Sequence, residues 1–242
     1  MKLPAGHRVQ HFERIDSTNA EARRLAETGE HGPLWIWADE QTGGRGRLGR
    51  TWVSEPGNLY VTLLFQTTAP VGAAAQISFV AAVAVHDVVS QLLPKANIAL
   101  KWPNDVLIDG AKFCGLLAEV VETAPTTIAL GCGMNLAHAP SGPSYPVAAL
   151  GAQFLPEPVL QKFSLTLWNW MEIWDGGAGF PAIRAAWLKR AAGVGGDVWV
   201  DGERARFDGL AADGALLVTL GNGTQKSIHA GEVRLLSGWG SP

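Results

Sequence analysis

Residues 71–93, VGAAAQISFVAAVAVHDVVSQLL, constrain the fold more than any other part of the chain. As a helix this run is apolar on nearly every side, so it must be covered on nearly every side. Gln76, Ser78, His86, Asp87 and Ser90 interrupt it, and alanine supplies much of its bulk. That pattern suits a buried core helix better than a bilayer span, which needs about 20 largely uninterrupted apolar residues. A chain of 242 residues, 47% hydrophobic and 17% charged, can form a core that encloses it.

The flanking segments predict what does the enclosing. RVQHFERI (8–15) reads as a short strand, and a helix starts at Thr18, where Thr18 and Glu21 have capping-box spacing; Gly29 suits its end. LWIWA (34–38), NLYVTLLF (58–65), IALKW (98–102) and TTIALGCGMNL (126–136) read as strands. In VLIDGAKFCGLLAEVVE (106–122), Asp109-Gly110 is a type I′ hairpin signal between two strand-like runs. Residues 157–174 and 181–192 carry helical patterns. Hairpins mixed with long helices predict an α/β domain of the α+β kind with a mixed sheet, without strict βαβ alternation.

Beyond Gly193 the pattern changes. Short β-rich runs are punctuated by Asp201-Gly202, Asp213-Gly214 and Asn222-Gly223, and no helix fits. Evenly spaced short strands over about fifty residues predict a small barrel, closed to hide its edges. Two domains are expected, residues 1–191 and 193–238.

With 19 basic and 22 acidic side chains the net charge is −3, which argues against a nucleic-acid partner. Two cysteines and six histidines, none in metal-ligand spacing, suggest neither a disulfide framework nor a zinc site. The N-terminal MKLPAGHRVQHFERI lacks the apolar core of a signal peptide. A cytoplasmic protein without a membrane anchor is expected.

Against this acidic background, GGRGRLGRTW (43–52) places Arg45, Arg47 and Arg50 among four glycines. Glycine lets backbone N–H groups converge on an anion, and arginine supplies planar bidentate donors, so the segment can clamp a carboxylate or phosphate. A solvated surface loop has the same composition. In KWPNDVL (101–107), Asn104 and Asp105 sit at a turn where they can face a ligand or simply make the turn. Lys112, eleven residues after Lys101, is either surface decoration or a charge folded back over that turn. GCGMN (131–135) brings glycines and Asn135 to a strand end, for close approach to a flat ligand or for a bulge. Asp16-Ser17-Thr18-Asn19 reads as a helix N-cap that can also offer donors and hydroxyls to a ligand. Cys114 and Cys132 lie in apolar runs and read as buried hydrophobes.

In combination these segments are specific. STN, DEQTGGRGRLGRTW, KWPNDVL with its following lysine, GLLAE (115–119), GCGMNL and a β-rich tail occur in one order. From about residue 10 to 236 the chain resembles the biotin–protein ligases, also called biotin–[acetyl-CoA-carboxylase] ligases.

The resemblance implies a catalytic domain related to class II aminoacyl-tRNA synthetases, followed by an SH3-like barrel. It implies activation of biotin with Mg2+ and ATP to biotinyl-5′-AMP, then transfer to one lysine of a biotin carboxyl carrier domain. Ser17, Thr18, Asn19, Gln41 and Gly115 are implied at the biotin head group and its surroundings. Arg45, Gly46, Arg47 and Lys112 are implied at the carboxylate and phosphate, with Arg47 and Lys112 catalytic. Arg50, Trp52, Asn104 and Asn135 fall where the family handles the nucleotide; Leu48 stands where relatives are often basic. With the first strand near residue 8, a short form without an N-terminal DNA-binding domain is expected; exposed sheet edges allow a homodimer. Competing readings are a lipoate–protein ligase, a cysteine-dependent lipoyl or octanoyl transferase, and a biotin-binding regulator without catalysis.

Overall fold

The structure, a computed structural model, describes residues 1–200 and 202–236. Seven strands form the first sheet: β1 (Arg8–Ile15), β2 (Leu34–Gln41), β3 (Leu59–Thr67), β4 (Ile98–Lys101), β5 (Asp105–Ile108), β6 (Ala111–Thr123) and β7 (Thr126–Met134). Their order is β1-β2-β3-β7-β6-β5-β4, and only β1 and β2 run parallel. Asp109 and Gly110 both take positive φ, 49° and 82°, as a type I′ turn requires. That turn joins β5 to β6 and fixes where Lys112 lies.

The apolar run forms a 3-10 lead-in from Val71 and then helix α2 (Ile77–Leu92). By length and composition alone Val71–Leu92 qualifies as a membrane span, yet Ile77, Val80 to Val85, Val88 and Val89 are buried in the core. The sheet covers one side of α2; helices α3 (Pro156–Trp174) and α4 (Phe180–Arg190) cover another. Aromatic rings fill the gaps: Phe79 meets Phe180 and Trp187 edge-on at 5.8 and 5.5 Å, and Trp35 meets Phe163 at 5.8 Å. Phe163 is fully buried while Leu165, on the same helix, is 36% exposed. Phe163→Ala is expected to cost about 3–5 kcal/mol in urea unfolding, and Leu165→Ala less than about 1 kcal/mol.

Helix α1 (Thr18–Glu27) packs on the opposite face of the sheet through Ala22 and Ala26, against Leu34, Ile36, Leu64 and Ala129. Its cap differs from the expected Thr18–Glu21 box. Ser17 is the N-cap, and its Oγ accepts from the Ala20 N–H at 3.4 Å. Glu21 turns outward to Arg24, which also holds Asp16. Thr18 is thereby released from capping and faces the sheet.

After α4 the chain forms a five-stranded antiparallel sheet from β8 (Asp197–Val200), β9 (Glu203–Leu210), β10 (Leu216–Leu220), β11 (Gln225–Ile228) and β12 (Val233–Leu235), ordered β11-β10-β9-β8-β12. Five short antiparallel strands in this order fit the small SH3-like β domain expected from sequence; β11 and β12 are its two edges. Its apolar face joins the same core as the first sheet and its helices. Val198, Phe207, Leu210 and Leu216 belong to the same core cluster as α2, and the Trp102 indole N–H donates to the Gly214 carbonyl at 3.2 Å. Asp201 of the expected Asp201-Gly202 turn, and the end of the second domain at residue 238, lie outside the described residues.

Candidate active site

One cavity of about 940 Å³ opens between the first sheet, the arginine loop and the edge of the second sheet. The β1–α1 turn brings Ser17, Thr18 and Asn19 to it, and β2 ends in it at Gln41. Loop 43–54 crosses above it, the turn at 102–105 and Lys112 close one side, and residues 231–235 close another. A volume of this order holds a ligand the size of a cofactor.

The recess at the α1 end is lined by uncharged polar side chains held in a hydrogen-bond network. Gln41 Oε1 accepts from the Thr18 backbone N–H at 2.8 Å, and Gln41 Nε2 donates to Ser54 Oγ at 2.9 Å. Thr18 Oγ1 and Thr62 Oγ1 are 2.8 Å apart, and Thr62 Oγ1 lies 2.7 Å from Asn19 Oδ1. Asn19 Nδ2 donates to Glu119 Oε2, also at 2.7 Å. Such a network fixes side-chain orientation before any ligand arrives.

The other end is cationic. Arg45, Arg47, Arg50, Lys101, Lys112 and Arg234 line the cavity, against only Asp105 and Glu232. In a chain of net charge −3 this concentrates positive potential in one cleft and draws anions to it. The arginine loop has backbone bonds of its own: Gly46 N–H to Arg50 O at 2.7 Å and Trp52 N–H to Gly44 O at 2.9 Å. Burial pulls the Arg47 guanidinium below its usual range, opposed by the attraction of Asp105. Burial likewise lowers Lys101, again against Asp105. Both cations are therefore held where an incoming anion gains more than it would in water. Lys112 Nζ sits 2.8 Å from Asp105 Oδ1, flanked by the Trp52 and Tyr145 rings at 5.4 and 5.8 Å.

Trp52 lies flat on the sheet because Gly133 and Gly115 leave room. A Cβ on Gly133 would stand 2.5 Å from Trp52 Nε1, and one on Gly115 would stand 3.0 Å from the ring. The indole N–H is buried without a partner. Arg50 pairs with Glu232, the residue before β12, joining the loop to the second sheet. Their side chains are 58% and 54% exposed, so the pair is worth less than about 1 kcal/mol. Glu232→Ala is expected to leave urea-unfolding stability within that margin.

The cavity thus gathers every expected site residue except one: Ser17, Thr18, Asn19, Gln41, Arg45, Gly46, Arg47, Arg50, Trp52, Asn104, Lys112 and Gly115 all line it. Asn104 also donates through Nδ2 to the Leu116 carbonyl, so part of its function is to tie the turn to β6. Asn135 is the exception. It is buried, its Nδ2 donates to the Ala148 carbonyl at 3.1 Å, and it anchors the segment after β7 instead of facing the cavity. Cys114 and Cys132 are free and buried with their sulfurs 3.7 Å apart; burial raises the Cys114 thiol well above its usual range, so it is a poor nucleophile.

The structure adds residues the sequence did not reveal. Thr62 is the lone polar residue within LYVTLLF, a signal that could have marked it. Ser54, Tyr145 and Glu232 carried no such local sign.

A neutral recess and an anion clamp, meeting on the face of a mixed sheet, define the class of ligases that activate a carboxylate. Comparison with known proteins specifies the family. Residues 11–135 match the biotin/lipoate A/B protein ligase family, and residues 202–236 match the biotin protein ligase C-terminal domain. A biotin–[acetyl-CoA-carboxylase] ligase of Paracoccus denitrificans is 40% identical over 236 residues, covering 91% of this chain and 97% of the relative. The bifunctional ligase/repressor BirA of Bacillus subtilis is 28% identical, covering 95% and 74%. Among solved structures, the biotin protein ligase of Aquifex aeolicus in complex with biotin and ATP superposes with a TM-score of 0.79 at 25% identity, covering 96% and 99%. The chain belongs to the biotin/lipoate A/B protein ligase family.

Proposed function

We propose that this protein is a biotin–[biotin carboxyl-carrier protein] ligase. It joins biotin to ATP as biotinyl-5′-AMP, releasing pyrophosphate, and then transfers the biotinyl group to a lysine of a carrier domain. The observation that carries this reading is the pairing of a neutral hydrogen-bonding recess with six cationic side chains in a single cavity.

The first step brings two anions together. A biotin carboxylate oxygen attacks the α-phosphorus, a P–O bond to pyrophosphate breaks, and negative charge builds on the bridging and equatorial oxygens. Arg47 and Lys112 are placed to neutralise that charge, and the chemistry needs no side-chain nucleophile. Thr18, Asn19 and Gln41 hold the head group, with Ser17 capping the helix beneath it. Arg45 and Gly46 cover the carboxylate end. Gly115 keeps space for the Trp52 ring. Arg50, Trp52 and Asn104 face the nucleotide. Asn135 supports this side only indirectly, through residues 148–150.

ATP brings magnesium, which would neutralise and orient the phosphates. No cluster of three or more acidic, histidine or cysteine side chains suited to a metal occurs among the described residues. Magnesium carried on phosphates needs only one or two carboxylates, and Asp105 and Glu232 line the cationic end. The donor set fits an ion delivered with the nucleotide.

In the second step the carrier lysine, as free amine, attacks the biotinyl carbonyl; a C–N bond forms, the C–O bond to phosphate breaks and AMP leaves. The test is ATP–pyrophosphate exchange with biotin, lipoate or octanoate supplied in turn. Exchange driven by biotin supports the proposal. Exchange driven by lipoate alone assigns the sister activity, and acyl transfer without ATP assigns a transferase.

A further inference from the structure

From the hydrogen-bond chain behind the recess, we infer that Glu119 is a positioning residue that sets the donor–acceptor polarity of the head-group site and so selects ligands bearing N–H donors. The inference rests on the reading of Thr18, Asn19 and Gln41 as that site.

The argument follows the protons. Glu119 Oε2 lies 2.7 Å from the Asn19 amide, and Arg23 stands 3.6 Å from the other carboxylate oxygen. An ionised carboxylate only accepts, so the Asn19 NH2 must face it and Oδ1 must face Thr62. Gly131 makes room for this, since a Cβ there would stand 2.2 Å from Asn19 Oδ1. At 2.7 Å from Asn19 Oδ1, Thr62 has to donate its single hydroxyl proton to it. The Thr62 oxygen is then left as an acceptor, and at 2.8 Å Thr18 must donate to it. Thr18 Oγ1 has now spent its proton and lies 3.1 Å from Gln41 Oε1, which the Thr18 backbone N–H holds in place. Two acceptor oxygens therefore converge on the cavity with lone pairs free. They are satisfied by a ligand N–H, as a cyclic urea provides and a dithiolane ring does not.

If Glu119 were a donor, the whole chain would reverse. Asn19 would turn its oxygen outward and give its NH2 to Thr62, Thr62 would donate to Thr18, and Thr18 would donate to Gln41. The hydroxyls and Gln41 Oε1 would then be satisfied within the protein, with Asn19 Oδ1 turned toward the Leu117 carbonyl that Nδ2 now meets at 3.4 Å, and the recess would no longer call for a ligand N–H. Glu119 does not line the cavity, so it acts only through Asn19.

The test uses the full-length chain with Glu119→Lys, a donor only, and Glu119→Gln, which can be either. Binding of biotin and of lipoate is measured by titration calorimetry, together with KM and kcat for biotin. Loss of a well-made hydrogen bond predicts about tenfold weaker biotin binding for Glu119→Lys. Glu119→Gln is expected to fall between it and wild type. For both variants the loss should appear in KM with kcat at saturating biotin unchanged, and lipoate binding should not weaken. A mere charge effect has the opposite sign, because an added cation favours both carboxylates. Biotin affinity within twofold of wild type in Glu119→Lys overturns the inference; if that variant fails to fold, an unchanged KM in Thr62→Val, which cuts the same relay, does so. Wild type that does not bind biotin refutes the underlying site reading instead.

Discussion

Lys112→Ala is expected to lower biotin-dependent ATP–pyrophosphate exchange by two or more orders of magnitude, roughly the cost of losing a major charge stabiliser. The structure gives a reason for so large an effect. Lys112 Nζ is 2.8 Å from Asp105, and both side chains are largely buried. Truncating the lysine removes an attraction and also leaves an unpaired carboxylate facing the phosphates. The fold should survive. The backbone of Lys112 carries its structural duty through bonds with Pro146 and Ala148 at 2.8 and 2.9 Å, which alanine retains. Adding Asp105→Asn to Lys112→Ala should recover part of the exchange by removing the exposed charge. Unchanged exchange in Lys112→Ala removes this residue from the catalytic set.

Arg47→Gly is expected to form the adenylate but to lose it to solution. The loop keeps its Gly46–Arg50 and Gly44–Trp52 backbone bonds without the side chain, while Lys101, Lys112 and Arg45 still line the cavity. What disappears is the half-buried charge that the loop contributes above it. Losing roughly 1 kcal/mol of retention raises escape about fivefold. Incubated with biotin, ATP and an unrelated lysine-rich protein, the variant should label that bystander several times more than wild type does. Equal labelling shows that Arg47 has no retaining function.

Local chemistry marks the arginine loop and the turn before Lys112, while the roles of Arg47 and Lys112 come from the family resemblance; the structure brings both residues to the cavity. Glycine between arginines is costly in a strand or helix and cheap in a clamp, and Asp109-Gly110 places Lys112 a fixed distance past a tight turn. The long apolar run marks α2 in the same way, its polar interruptions favouring a buried helix over a bilayer span. Asn135 was misplaced because its neighbours Gly131 and Gly133 do line the cavity, and alternation along β7 could not settle its own direction once the strand ended at Met134. The helix cap moved from Thr18 to Ser17 because Thr18 is taken up by Gln41 and Thr62, 23 and 44 residues away in sequence. Glu119 and Thr62 are tertiary partners of Asn19 with no local spacing to reveal them. The second, antiparallel sheet follows from its evenly spaced turn signals, but its share in the common core, through Phe207, Leu210 and the close approach of Gly214 to Phe79 and Phe180, has no local sign. Packing of one sheet's elements on the other's leaves no pattern in either segment alone.

The most direct measurement is the mass of a biotin carboxyl carrier domain after incubation with this protein, biotin, magnesium and ATP. The account predicts a gain of one biotinyl group on one lysine, dependent on ATP and lost in Lys112→Ala. A carrier domain whose mass does not change, with wild-type protein that is folded and binds biotin, would contradict it.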